Sequence, residues 1–120
     1  MVGKSIMVIA VDFDGTLCTN NYPEIGEPIW KVIDYCRRLK NAGNQIILWT
    51  CRSGKHLTQA IYACKNWGLE FDYINENSKE NLEKYHYIDS RKICADLYID
   101  DKSLNPKDIM EVTNGLERIN

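Results

Sequence analysis

Carboxylate, hydroxyl and amide side chains follow four apolar segments of the chain. In sequence order they are Asp12 and Asp14, then Thr50, then Asn75, then Asp100 and Asp101. If the four segments are parallel strands of one sheet, these side chains meet at its carboxyl edge. Four carboxylates in one partly desolvated cleft would repel one another strongly. A divalent cation would neutralise them, and ligands that are all oxygen atoms favour Mg²⁺.

A metal at this edge would serve to position and neutralise a phosphate group. Thr50 offers a hydroxyl, and Lys92, the nearest lysine before the last acidic pair, offers an ammonium group. Asp12 and Asp14 are two residues apart, and a turn at Gly15 can bring the second carboxylate beside the first. One carboxylate can then attack phosphorus, while the other donates a proton to the leaving oxygen.

Alternating strands and helices are predicted around these residues. The apolar runs typical of buried strands are residues 6–11, 46–49, 71–74 and 95–99. Apolar residues at helical spacing predict one helix from Pro28 to Gly43 and a second from Gly54 to Gly68, and Asn105 begins a final helix. We therefore expect a single α/β domain over residues 1–120. Its fold would be three-layer and Rossmann-like, with one parallel sheet and right-handed crossovers.

Composition narrows the class of protein. The chain has 120 residues, of which 44 % are hydrophobic and 27 % are charged, as in an ordinary globular domain. The formal charge of −2 disfavours a nucleic-acid partner, although it is compatible with a local basic cleft. The first apolar run is too short for a membrane span and leads into acids, so we expect neither signal peptide nor anchor. Five cysteines without metal or disulfide spacing predict reduced thiols in a cytoplasmic protein.

Three segments resemble motifs of the haloacid dehalogenase-like (HAD) phosphohydrolase superfamily. Residues 8–17, Val-Ile-Ala-Val-Asp-Phe-Asp-Gly-Thr-Leu, are similar to its hhhhDxDGT signature. Residues 47–50, Ile-Leu-Trp-Thr, resemble the second motif, and residues 97–101, Leu-Tyr-Ile-Asp-Asp, resemble the fourth. The resemblance implies a HAD-like core that hydrolyses a phosphomonoester with Mg²⁺ through an aspartyl-phosphate.

The same resemblance implies a role for each site residue. Asp12 would be the nucleophile. Asp14 would be the general acid, then the base that activates water, and its backbone carbonyl would bind Mg²⁺. Thr50 would bind the phosphoryl oxygens, and one or both of Asp100 and Asp101 would complete the metal site. An acid at position 14 favours phosphate esters over carbon–halogen or carbon–phosphorus bonds.

The third family motif is a lysine at a variable distance before the acidic pair. Lys92 stands eight residues before Asp100, in a stretch that also looks similar to the 5′-deoxyribonucleotidase branch. Lys79 and Arg91 are the alternatives for this cation.

Three further residues are expected to contact the substrate: Thr16, Arg52 and Asn75. Arg52 either faces the phosphate or is a solvated loop charge. Instead of binding phosphoryl oxygens, Thr50 could cap a helix or form a hydrogen bond with a loop amide. Tyr22 is either a surface ring or a platform for the substrate.

No segment is long enough for the family's usual cap domain, so the resemblance implies a capless site. Residues 18–27 and 75–92 are the two short candidates for such an insertion. An open site is suited to a macromolecular phosphate, or to a small molecule that a second copy of the chain helps to cover. The alternatives are a catalytically silent phosphate- or metal-binding module and a phosphoacceptor signalling module. In receiver domains of the latter kind the acidic pair follows the first strand and the lysine comes last, an order that this chain lacks.

Overall fold

A computed structural model describes residues 6–79 and 93–100. Its elements are β1 (Val8–Val11), α1 (Trp30–Asn41), β2 (Gln45–Leu48), α2 (Gly54–Asn66), β3 (Tyr73–Ile74) and β4 (Leu97–Ile99). The strands form one parallel sheet in the order β3-β2-β1-β4. The prediction of an α/β fold with a parallel sheet is therefore confirmed. None of the helices in these ranges is long and apolar enough to cross a membrane.

The order of the strands explains where the helices lie. From β1 the chain moves in one direction to β2 and β3, so right-handed crossovers place α1 and α2 on the same face. The main hydrophobic core is consistent with both helices lying on one face, because it joins residues of β1 and β2 to residues of α1 and α2. Its members include Ile9, Val11, Ile46, Leu48, Val32, Cys36, Ala60 and Cys64.

The opposite face of the sheet is buried as well. Ala10 and Ile47 are fully buried there, in a second cluster with Val8 and Ile93. Burial of both faces is the reason that β1 and β2 read as continuous apolar runs rather than alternating ones. The third layer and the helix predicted from Asn105 fall outside the described residues, where they stay predictions.

Element boundaries differ from the prediction for α1 and for all four strands. β2 covers Gln45–Leu48 rather than residues 46–49, and β4 begins at Leu97 rather than at residue 95. β1 begins at Val8, because Ile6 is largely exposed. Pro28 does not begin α1: it forms an antiparallel bridge with Cys18, and the helix starts two residues later. β3 has only two residues. The predicted helix ends are confirmed, with Gly43 and Gly68 following α1 and α2 at φ +98° and +89°.

All five cysteines lie in the described ranges and are free thiols. Burial raises the pKa of the Cys36 thiol to about 12 and also raises the pKa of Cys64. Because the thiolate is the reactive form, we expect a maleimide at neutral pH to modify the exposed Cys51 first in the folded protein. Cys36 and Cys64 should react only on unfolding. Peptide mass spectrometry over time checks this order, and modification of Cys36 before Cys51 would contradict it.

Candidate functional site

Asp12 and Asp100 follow neighbouring strands at the carboxyl edge of the sheet. Val11 pairs with Ile99, and the Asp12 N–H donates to the Ile99 carbonyl at 2.9 Å. The strand order reverses between β1 and β4, and open parallel sheets bind ligands in the crevice at such a point. Two half-buried carboxylate residues therefore border the place where this rule puts the crevice.

Thr50 and Asn75 follow β2 and β3 at the same edge. The Thr50 N–H donates to the Asn75 side-chain oxygen at 2.8 Å. Asn75 adopts φ +53°, a left-handed conformation that Asn tolerates better than most residues. The Thr50 hydroxyl oxygen accepts the Arg52 N–H at 3.1 Å, so its predicted bond to a loop amide is present. That bond uses the oxygen as an acceptor, which leaves the hydroxyl hydrogen able to donate to a phosphoryl oxygen.

The predicted turn at Gly15 redirects the chain directly after β1. Gly15 has φ +84° and donates its N–H to the Cys18 carbonyl at 2.8 Å. The Phe13 carbonyl accepts three N–H groups within this turn, from Thr16, Leu17 and Cys18. The turn gives the Asp14 side chain a different direction from that of an extended strand.

Asp14 is held by Arg52 in a two-pronged ion pair. Arg52 Nε donates to Asp14 Oδ2 at 2.8 Å, and Nη2 donates to Oδ1 at 2.7 Å. The remaining guanidinium hydrogens go to the carbonyls of Pro23, Glu24 and His56. Arg52 is only 2 % exposed, and its hydrogen bond with Asp14 raises its pKa above the usual range. The expectation of a solvated loop charge is therefore wrong, and all five N–H groups are donated within the protein.

Aromatic rings complete the environment of this guanidinium. Its central carbon lies 5.0 Å from the ring centroids of both Phe13 and Tyr22. Phe13 in turn stacks on Trp67, and Tyr22 meets His56 edge to face. Tyr22 is 57 % exposed, so it covers Arg52 from the solvent side.

Residues 19–27 form a closed loop, called the 19–27 loop below, next to this ion pair. The Thr19 N–H donates to the Glu27 carbonyl at 2.8 Å, and the Glu27 N–H donates to the Thr19 hydroxyl at 2.9 Å. Gly26 packs so tightly here that a Cβ atom would lie 1.9 Å from the Thr19 carbonyl oxygen. Residues 18–27, the first candidate for a cap insertion, thus form this short loop. Of the second candidate, residues 75–92, residues 80–92 fall outside the described ranges.

Three of the four carboxylates predicted to hold a metal lie in the described residues, and these three are not gathered in one group. Over residues 6–79 and 93–100, no three acidic, histidine or cysteine side chains are close enough to share a metal ion. Asp12 and Asp100 border the crevice, Asp14 is paired with Arg52, and Asp101 lies outside the described residues. The donor set still fits Mg²⁺, which takes one or two carboxylates and completes its shell with water and phosphate oxygens.

The other predicted residues have separate outcomes. Thr16 is 1 % exposed beneath the turn, and its hydroxyl has no hydrogen-bond partner in the described part of the chain, so it does not face an open site. Lys79 is exposed, and its backbone N–H donates to the Tyr73 hydroxyl at 3.1 Å. Lys92 and Arg91 lie outside the described residues, so the assignment of Lys92 as the cation stays a prediction.

One solved structure resembles the chain over nearly its whole length. It is described as the conserved protein coded by locus from Bacteroides thetaiotaomicron, with 36 % sequence identity and a TM-score of 0.80. The alignment covers 97 % of this chain and 93 % of that one. The chain belongs to the family of this conserved Bacteroides protein. No protein-family model and no curated protein matches the chain.

The ion pair between Asp14 and Arg52 was not predicted from the sequence of this member of the Bacteroides protein's family. The two residues are 38 positions apart, so no local pattern links them. The available signal was Arg52, two residues after the strand-end Thr50, close in the predicted fold to Asp14, three residues after the end of the first strand. A single cation so close to an acid cluster is a candidate for pairing with it.

Proposed function

We propose that the chain is a Mg²⁺-dependent phosphohydrolase with a capless, HAD-like core, and that it cleaves a phosphomonoester through a phosphoryl intermediate on Asp12. The observation that carries this proposal is the placement of Asp12 at the reversal point of the sheet, with Asp100 beside it. Thr50 and Asn75 follow the strands on the other side of β1. The resemblance of residues 8–17 to the hhhhDxDGT signature supports the same assignment.

The reaction would take place in two displacements at phosphorus. In the first, an Asp12 carboxylate oxygen forms a bond to phosphorus, the ester P–O bond breaks, and the leaving oxygen takes a proton from Asp14. In the second, water attacks phosphorus, its proton passes to Asp14, and inorganic phosphate leaves with Asp12 restored. Asp12 and Asp100 would hold Mg²⁺, and the ion would supply neutralisation of charge on the phosphoryl oxygens. Thr50 donates a hydrogen bond to the same oxygens.

The ion pair with Arg52 is compatible with proton transfer by Asp14. A carboxylate has about four acceptor sites on its two oxygens. Arg52 uses one bond on each oxygen, through Nε and Nη2. The other lone pairs of Asp14 can therefore accept the proton from water and return it to a leaving oxygen.

A second function has one observation in its favour. Both Asp14 oxygens are paired with a buried guanidinium, as in a purely structural ion pair. A module that binds phosphate or a metal at the Asp12 edge without turnover would show the same arrangement.

Phosphate release from a panel of phosphomonoesters separates the two functions. The panel contains p-nitrophenyl phosphate, an alkyl phosphate, a nucleoside monophosphate and a phosphopeptide, each with MgCl₂ and with EDTA. We expect release with Mg²⁺, loss of release with EDTA, and recovery when Mg²⁺ is returned in excess. Phosphate binding measured by calorimetry without release of product from any ester would contradict the hydrolase and support the silent module.

The same panel addresses the substrate class. An open site predicts that a phosphopeptide competes with a small ester, whereas a site covered by a second copy predicts preference for the small molecule and a dimer in solution.

A further inference from the structure

We propose that Arg52 is a positioning residue that ties the Asp14 carboxylate to the 19–27 loop, so that the proton-transfer group and the loop keep one joint arrangement. The inference rests on the proposed function, in which Asp14 transfers protons. It adds a coupling between Asp14 and the 19–27 loop, and the sequence motifs do not indicate such a coupling.

A single nitrogen atom makes the central connection. Arg52 Nη2 donates to Asp14 Oδ1 at 2.7 Å and to the Glu24 carbonyl at 2.8 Å. Nη1 adds a bond to the Pro23 carbonyl at 3.1 Å, and Nε adds the second bond to Asp14. The guanidinium is a rigid plane, so a rotation that releases the loop also misaligns the bonds to Asp14.

Burial makes a partial release unfavourable. Arg52 is 2 % exposed, so water cannot readily replace a lost partner. A buried charge that loses a hydrogen-bond partner retains its desolvation penalty without compensation. The loop and the acid are therefore held together or released together.

Tyr22 connects the Arg52 contacts with Asp14 and the 19–27 loop to the protein surface. Its ring lies over the Arg52 guanidinium, and the residue is 57 % exposed at the tip of the loop. A substrate that contacts Tyr22 would also alter the position of Asp14 through Arg52. The loop would thus influence the rate of proton transfer as well as binding.

The test measures the loop and the chemistry separately in Arg52→Lys. Lysine keeps the positive charge but cannot form the two-pronged pair and reach both carbonyls. Amide hydrogen exchange reports the loop, through the bonded N–H groups of Thr19 and Glu27. The kcat/KM for p-nitrophenyl phosphate and for an alkyl phosphate reports the proton that Asp14 donates in the first displacement, before the water step that both esters share. Nitrophenolate leaves without protonation, whereas an alkoxide does not.

We expect loop exchange to become at least about tenfold faster in Arg52→Lys, because the loop then opens locally at lower free energy. The kcat/KM for the alkyl phosphate should fall about 100-fold, the range of a general-acid contribution, and that for p-nitrophenyl phosphate by no more than about fivefold. The matched control is Arg37→Lys on α1, where the side chain is 47 % exposed, and neither quantity should change.

Tyr22→Leu provides a second variant if Arg52→Lys does not fold. Tyr22 is exposed, so its replacement leaves the core intact, and we expect faster loop exchange with the same selective loss on the alkyl phosphate. Tyr62→Leu is its control, because Tyr62 is a tyrosine on α2 that is also exposed, at 66 %.

Unchanged loop exchange in both variants would contradict the proposal that Arg52 holds the 19–27 loop, whatever the turnover. Faster loop exchange with equal losses of kcat/KM for the two esters would overturn the positioning of Asp14. If the wild-type protein turns over neither ester, the proposed function and the proton-transfer half of the inference fail together, and the exchange data still decide whether Arg52 ties the loop.

Discussion

Asp12→Asn is expected to lower the rate of phosphate ester hydrolysis by at least about 10⁴-fold, as removal of a nucleophile does in other hydrolases. An amide oxygen is a poor nucleophile, and the substitution also removes one of the two negative charges that border the crevice. The measurement is kcat/KM for p-nitrophenyl phosphate with saturating Mg²⁺.

The matched control is Asp34→Asn, the same chemical change on the exposed side of α1. In the described part of the chain, the ion pair of Asp34 is an exposed one, 3.8 Å from Arg37, so its replacement should leave the rate within about twofold and the stability nearly unchanged. Asp12→Asn itself should fold, because the backbone bond from residue 12 to the Ile99 carbonyl does not involve the side chain. An Asp12→Asn protein that retains wild-type turnover would show that Asp12 is not the nucleophile.

Arg52→Met is expected to reduce the free energy of unfolding by about 3–5 kcal/mol, the range for breaking a buried ion pair. The substitution leaves the Asp14 carboxylate and the carbonyls of Pro23 and Glu24 without their donor. Urea denaturation followed by circular dichroism measures the loss.

Two comparisons make this result specific to the ion pair. Arg37→Met removes an arginine from an exposed pair and should change the free energy of unfolding by less than about 1 kcal/mol. The double variant Asp14→Asn, Arg52→Met should be less destabilised than the sum of the two single variants, because it buries no unpaired charge. Wild-type stability of Arg52→Met would mean that the guanidinium is not buried as described.

The parts of the fold that follow from local sequence were predictable. The apolar runs before Asp12 and Thr50 became β1 and β2, since parallel strands buried on both faces need apolar residues at every position. Gly43 and Gly68 marked the helix ends because they adopt positive φ values. Once the strands are parallel, their carboxyl ends must lie at one edge, and the strand-end residues follow them there.

The parts that depend on contacts between distant residues were not predictable in the same way. Arg52 had two expected environments, and neither included Asp14, because the pair forms only when the turn after β1 meets the loop after β2. Pro28 suits a first helical position locally, but its bridge with Cys18 keeps that residue extended. Thr16 looked like a substrate contact beside Asp14, yet the turn at Gly15 carries it into the core.

The most direct measurement of the central claim is chemical trapping of the intermediate. The protein is incubated with Mg²⁺ and p-nitrophenyl phosphate and then treated with borohydride, which reduces an aspartyl-phosphate to homoserine. Peptide mass spectrometry should find homoserine at position 12 in the wild-type protein and at no position in Asp12→Asn. Homoserine at another aspartate, or none at position 12 while the ester is being hydrolysed, would contradict the assignment of Asp12 as the phosphoryl acceptor.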